Sequence, residues 1–204
     1  MSMTEAEAAF EDLIDGLRRE WEDEYADVYR KEGESNFINR RLASYFVHNP
    51  DMAARAKKRC QDARALLDVN SDASVVLAYS ATEVGFKNLL LRPIIHGFVN
   101  SDHVADLVST AIVSSNREEK RLRGFLSVLF RNMTRVNLEA IEIGGQKQAL
   151  WRHIEIVQKT RNTILHTAES AGRQDAEYAV ALASLVVEEL FPLLRAEIEA
   201  LAEE

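Results

Sequence analysis

The segment Ala73–Leu91 constrains the fold most, because it carries only two charged residues, Glu83 and Lys87. Wound as a helix it is apolar around its whole circumference, so other elements must cover it on every side. Its longest charge-free stretch, Ala73–Thr82, is about half of the roughly 20 residues a membrane helix needs. The same holds for Tyr178–Val187, so both are read as core helices of a soluble domain, with no membrane partner. The 204 residues contain only 8 glycines and 3 prolines, too few turn formers for a chain of hairpins or a doubly wound sheet. With 47% hydrophobic and 28% charged residues, the chain has the composition of a folded all-α helical bundle.

Further helices follow from periodicity. Thr4–Arg30 is acidic, with Phe10, Leu13, Leu17, Trp21, Tyr25 and Val28 recurring at threes and fours, and Gly33 is expected to stop it. Phe37–Val47 is a shorter helix ending before Pro50, and Asp51–Leu67 is a polar one carrying Arg55, Lys57, Lys58 and Arg59. After Ala73–Leu91, which Pro93 is expected to end or kink, come Asp102–Val113 and the basic Glu118–Phe130. Val136–Ile143 alternates weakly, as a short extended segment does, and Gly144-Gly145 marks a loop before a helix over Gln146–Thr167. A last helix runs from Gln174 to Leu201, bent at Pro192. No linker composition divides the chain. Residues 1–70 are read as an N-terminal helical extension packed on a core bundle of residues 71–204.

The formal net charge of −8 is unevenly spread. Residues 1–34 hold 12 acids and 4 bases, residues 35–170 hold 13 acids and 19 bases, and residues 171–204 hold 8 acids and 2 bases. A polyanion responds to the local field over about 8–10 Å rather than to the whole-chain sum, so the basic middle remains open to nucleic acid. Cys60 is the single cysteine; it can form no internal disulfide, which fits a reducing, cytoplasmic location. No basic and apolar leader is visible over Met1–Phe10. His96, His103 and Asp106 are the nearest approach to a metal-ligand cluster and are not expected to form a zinc site, and no glycine-rich phosphate loop or nucleophile elbow is present. Neither metal nor cofactor is expected.

The segment WRHIEIVQKTRNTILHTA, Trp151–Ala168, concentrates the candidate chemistry. At about 100° per residue, Ile154, Val157, Ile164, Leu165 and Ala168 share one apolar stripe, and Arg161 falls in its middle. A charge there must be paired or face a cleft. Asn162 and His166 are neighbours on another face, whereas Arg161 and His166 project about 140° apart. One straight helix does not make all three converge.

The run Arg161-Asn162-Thr163-Ile164-Leu165-His166 resembles the signature of HEPN domains: Arg, Asn, three residues, His. The resemblance covers roughly Asp72–Leu194 and implies a helical bundle with the motif on a late helix, and a homodimer that faces two motifs across one cleft. It further implies a metal-independent endoribonuclease of toxin or antiviral-defence type. In such an enzyme the 2′-hydroxyl of RNA attacks the adjacent phosphate and leaves a cyclic phosphate. His166 would move protons, since histidine is the side chain whose ordinary pKa of about 6.5 suits the task. Arg161 would stabilise the phosphorane with its forked donors, and Asn162 would orient His166 or donate to a phosphate oxygen. RNA is then the substrate, with a neutralising or activating partner in prospect.

Other residues carry two readings each. Glu83 either pairs with Lys87 at i, i+4 or orients Arg161 across the core. Arg117, Lys120, Arg121 and Arg123, together with Lys159, either contact RNA phosphates or form a solvated basic face. His48 and His153 read as incidental. For the whole chain the alternative to a nuclease is a non-catalytic helical module for dimerisation and for binding a nucleotide, RNA or protein, with Arg161 structural. The acidic segment Met1–Glu34 departs from the family pattern and is expected either to cover part of the bundle or to repel RNA from one face. Deleting it should therefore change unfolding stability or RNA affinity; a truncated protein matching the full chain in both would sink the idea.

Overall fold

The computed structural model describes residues 32–98 and 116–203; the helices expected over 4–30 and 102–113, with His103 and Asp106, lie outside them. The described chain is overwhelmingly helical: α1 (Glu32–His48), α2 (Ala54–Ala65), α3 (Ser71–Val84), a π-helical segment Gly85–Leu91, and α4 (Arg92–Phe98). After these come α5 (Asn116–Thr134), a hairpin of β1 (Ile141–Ile143) and β2 (Gln146–Gln148), and α6 (Leu150–Thr167). The chain closes with α7 (Arg173–Ser184), a second π-helical segment Leu185–Leu190, and α8 (Phe191–Glu203). This is the all-α architecture its composition implies. None of the described helices is long and apolar enough to cross a membrane.

The two uniformly apolar segments form the centre. α3 and α7 pack along each other, α2 and α6 both lie against α3, and α1 packs on α4 and α8. Leu42 and Phe46 from α1, and Ala56, Cys60 and Ala63 from α2, belong to the same buried cluster as Val75, Leu89, Val180 and Leu194. α1 and α2 are thus part of the same core as the later helices. Asn70 caps α3 by accepting from the Ala73 amide at 3.0 Å, which satisfies one of the free N–H groups of the first turn. At the edge, Arg64 of α2 forks onto Glu188 at 3.0 Å through Nη1, with Nη2 also on Ser184 at 2.6 Å. Burial raises the Cys60 thiol from its ordinary value, which leaves it protonated and poorly nucleophilic.

The two prolines that lie within helices, Pro93 and Pro192, each follow a π segment. The Arg92 amide reaches back to the Lys87 carbonyl, and the Phe191 amide to the Val186 carbonyl, five residues each. A proline in a regular helix clashes with the carbonyl four residues earlier and offers that carbonyl no hydrogen. The widened turn lets the helix run through Pro93 and Pro192 instead of ending. The same two segments meet face to face: a Cβ built on Gly85 would lie 2.9 Å from Val186 Cγ1 and 3.0 Å from Val187 Cγ2. Only hydrogen fits at this crossing.

Three local expectations are corrected. Gly33 does not stop a helix but lies in the first turn of α1, where the backbone N–H groups have no helical partner in any case. The helix expected from Gln146 starts at Leu150, because Gly144 and Gly145, at φ 59° and 76°, form the two-residue turn that matches strand twist and pairs Ile143 with Gln146. Finally, the apolar stripe of α6 is buried only at its start: Ile154 and Val157 are core, Ile164 is half-buried, and Leu165 is 51% exposed. The final two turns of α6 run past the elements that cover its beginning.

The crossing predicts opposite outcomes for two glycine replacements. Gly85→Ala should lower unfolding stability by about 1–2 kcal/mol, because overpacking against two β-branched side chains outweighs the helix propensity gained. Gly124→Ala, on α5 with nothing within 4 Å of its Cβ position, should raise stability by up to about 1 kcal/mol. Urea unfolding of the two variants against the parent checks both signs.

Candidate functional site

The site candidates sit on the second half of α6, where residues 161–164 are half-buried and 165–167 exposed. Its start is fixed by a buried polar knot. His153 is fully buried, with Nε2 on the Ile141 carbonyl at 3.1 Å and Nδ1 on the Tyr178 hydroxyl. Since a carbonyl only accepts, Nε2 carries the hydrogen and Nδ1 accepts from the phenol. Gln148 donates to the Tyr178 oxygen at 3.2 Å. One imidazole therefore ties α6 to the hairpin and to α7. His153 is not incidental, as its position in the sequence suggests, and only its place on the α6 face toward α7 signals this role. Burial raises the Tyr178 phenol above its ordinary value, partly offset by the Gln148 hydrogen bond.

Further along, antiparallel packing on α3 sets the order of contacts. Trp151 meets Phe86 edge-on with ring centroids 5.1 Å apart, and ten residues later the Arg161 guanidinium carbon lies 5.5 Å from the centroid of the Tyr79 ring. Arg161 is half-buried, and its Nη1 donates to Asn162 Oδ1 at 2.9 Å. Its recorded partners are thus an aromatic face and a neutral amide, with no carboxylate among the described residues. The cation–π contact holds the group in place while leaving most of its five N–H donors available.

Asn162 connects this arginine to the other face. It lines an open depression of about 380 Å³ together with His166, Lys159, Gln158 and Thr163. His166, in the last turn of α6, is exposed. No hydrogen bond joins Asn162 to His166 among the described residues; the amide oxygen is turned to Arg161 instead. A second depression of about 510 Å³ adjoins the first, sharing Glu155, Lys159 and Thr163 and adding Arg152, Ile164 and Glu169. Within one chain, then, Asn162, His166 and Lys159 come together and Arg161 stands behind Asn162, as the wheel requires. Beyond Thr167, the helix ends on Ala168 in the left-handed conformation, φ 54°. The Ala171 amide then donates to Asp72 at 2.6 Å, pinning the connection to α3.

The remaining candidates fall elsewhere. Glu83 pairs with Lys87 at 3.0 Å on its own helix, and Arg161 bonds Asn162 rather than Glu83. Arg123 is committed within the fold: Nη1 is 2.6 Å from Glu155, and its guanidinium lies 5.7 Å from the Trp151 ring centroid. Arg117, Lys120 and Arg121 belong to α5, but their side chains lie outside the described residues. No group of three or more His, Cys, Asp or Glu among the described residues is placed to hold a metal ion. No family model, curated protein or solved structure matches the chain.

The polar knot gives a stability prediction independent of function. His153→Ala removes the partner of the Ile141 carbonyl and of the Tyr178 hydroxyl hydrogen, while Gln148 still donates to the Tyr178 oxygen, and should cost about 2–6 kcal/mol, at about 1–3 per lost partner. Tyr178 also sets a high-pH limit. Its phenol loses a proton at lower pH in the unfolded chain than in the fold, so its contribution is intact below the ordinary phenol value of 10.0 and is lost as pH rises beyond it. Unfolding midpoints on either side of that value, in the parent and in Tyr178→Phe, should show the alkaline fall in the parent reduced in the variant.

Proposed function

We propose that this chain is a HEPN-like, metal-independent endoribonuclease whose complete site forms where two copies meet along the exposed half of α6. The observation that carries the reading is Asn162, which accepts from Arg161 on one side and lines the depression containing His166 on the other. A guanidinium with no carboxylate partner among the described residues and a solvent-facing imidazole are thereby linked through one amide. A second copy supplies what one helix cannot. Across a two-fold axis, the arginine of one protomer can face the histidine of its partner. Half-buried Ile164 and exposed Leu165 offer the apolar contact such pairing needs.

In this mechanism the imidazole of His166 accepts the proton of a ribose 2′-hydroxyl as that oxygen attacks the adjacent phosphorus. The bond from phosphorus to the 5′-oxygen breaks, and that oxygen takes a proton from the imidazolium of the second copy. The products are a 2′,3′-cyclic phosphate and a 5′-hydroxyl. Arg161 stabilises the charge that develops on the phosphorane oxygens, and Lys159, exposed in the same depression, contacts the flanking phosphate. DNA lacks the nucleophile. The toxin or defence role, and a neutralising or activating partner, belong to the same reading.

One observation favours the second reading, a non-catalytic binding module. Arg161 is already held by Tyr79 and Asn162 in a single chain, which a purely structural arginine would also show.

Cleavage of labelled single-stranded RNA in EDTA separates the two. The parent should produce cyclic phosphate ends. His166→Ala should lose about 10²–10⁴-fold in rate and Arg161→Ala about 10²–10³-fold, each with fold and dimer state unchanged. A parent protein that binds RNA but never cleaves it would establish the module instead.

A further inference from the structure

A second arginine approaches α3 beside Arg161. Arg59 of α2 is exposed, and its Nη1 donates to the hydroxyl of Ser80, the residue directly after the Tyr79 that receives Arg161. Two guanidinium groups from two different helices therefore rest on consecutive residues of a third. Neither forms a salt bridge among the described residues. The nearby carboxylates are engaged elsewhere, Asp62 with Lys58 and Glu83 with Lys87. One turn before Arg59, Arg55 is exposed on the same side of α2 and forms no ion pair among the described residues, so the row of positive charge continues outward. Each guanidinium gives one hydrogen bond to a neutral side chain and keeps the rest of its donor fork. Elsewhere in the fold Arg64, Arg123, Arg152, Arg173 and Arg195 pair with carboxylates, and Arg131 donates to the neutral Asn137.

The geometry also selects the ligand. Consecutive helical residues project about 100° apart, so the two guanidinium groups approach α3 in different directions and from different helices. A ligand engaging both carries phosphates at successive positions, which is the repeat of a nucleic-acid backbone. Resting on the ribonuclease reading above, we propose that Arg59 and Arg161 form a two-point clamp for the phosphodiester backbone of single-stranded RNA. The strand runs from Arg161 to Arg59 and on toward Arg55, over the side chains that cover Tyr79, which is itself only 7% exposed. Arg59 is a binding residue here and takes no part in bond breaking.

The test is a salt titration of binding to a short 2′-O-methyl RNA, whose blocked 2′-oxygen prevents cleavage. Each phosphate contact contributes about 0.7 to the slope of log K against log salt for a single strand. Arg59→Gln and Arg161→Gln should each reduce the slope by about 0.7, and the double variant by about the sum of the two. Lys58→Gln, next to Arg59 but paired with Asp62, should leave the slope unchanged, and circular dichroism should show equal helix content throughout. A reduced slope for Arg161→Gln with none for Arg59→Gln overturns the clamp and leaves the nuclease reading standing. Weakened affinity at constant slope in both variants also overturns it, since the arginines then act through the fold. A parent protein that does not bind the oligonucleotide overturns both proposals.

Discussion

The structure depends on the place where two long helical rods touch at their weakest turns. The rod of α3 and α4 and the rod of α7 and α8 each contain a widened segment, and these segments pack on each other with Gly85 against Val186 and Val187. Any larger residue there would push apart the two rods on which everything else is laid. α2 and α6 lie against α3, and α1 packs across α4 and α8. Close packing of this kind transmits a displacement rather than absorbing it, so the spacing at Gly85 helps set where Tyr79 and Ser80 sit, two turns away on the same helix.

Polar links then decide which parts of the periphery are held. α6 is gripped at its start by His153 and where it leaves the bundle by the Asp72 bond to the Ala171 amide. Between these points its apolar side becomes uncovered, and the candidate residues occupy that stretch. A helix anchored at both ends presents its side chains on a rigid frame, which a positioned imidazole or guanidinium requires. Arg161 illustrates the balance: stacking on Tyr79 fixes it without neutralising it, whereas a carboxylate partner would have done both.

Much of this was legible in the sequence. The apolar circumference of Ala73–Leu91 and Tyr178–Val187 identified the two central helices, because burial on all sides leaves no other place for them. The angular relation of Arg161, Asn162 and His166 followed from helix geometry alone, and the structure keeps it. What escaped is of two kinds. The π segments left no signal in hydrophobic period; the prolines marked them, but a proline reads as an end or a kink unless the widened turn is known. The contacts of His153, Tyr79 and Arg59 are with partners 25, 82 and 21 positions away, and no local pattern encodes a contact between distant elements. Arg123 shows the converse, since its basic neighbourhood suggested solvent or RNA while its actual partners are Glu155 and Trp151.

The pairing of each proline with a widened turn has a consequence for how such a chain can vary. A π segment holds one more residue than the α-helical turns it replaces, so losing one residue there restores a regular ladder and leaves the flanking helices in phase. With Pro93 or Pro192 still present, that regular ladder would drive the pyrrolidine ring into the preceding turn. Length and residue type are therefore locked together at both places. A descendant that shortens either rod by one residue must also give up its proline, and one that replaces the proline is released to shorten.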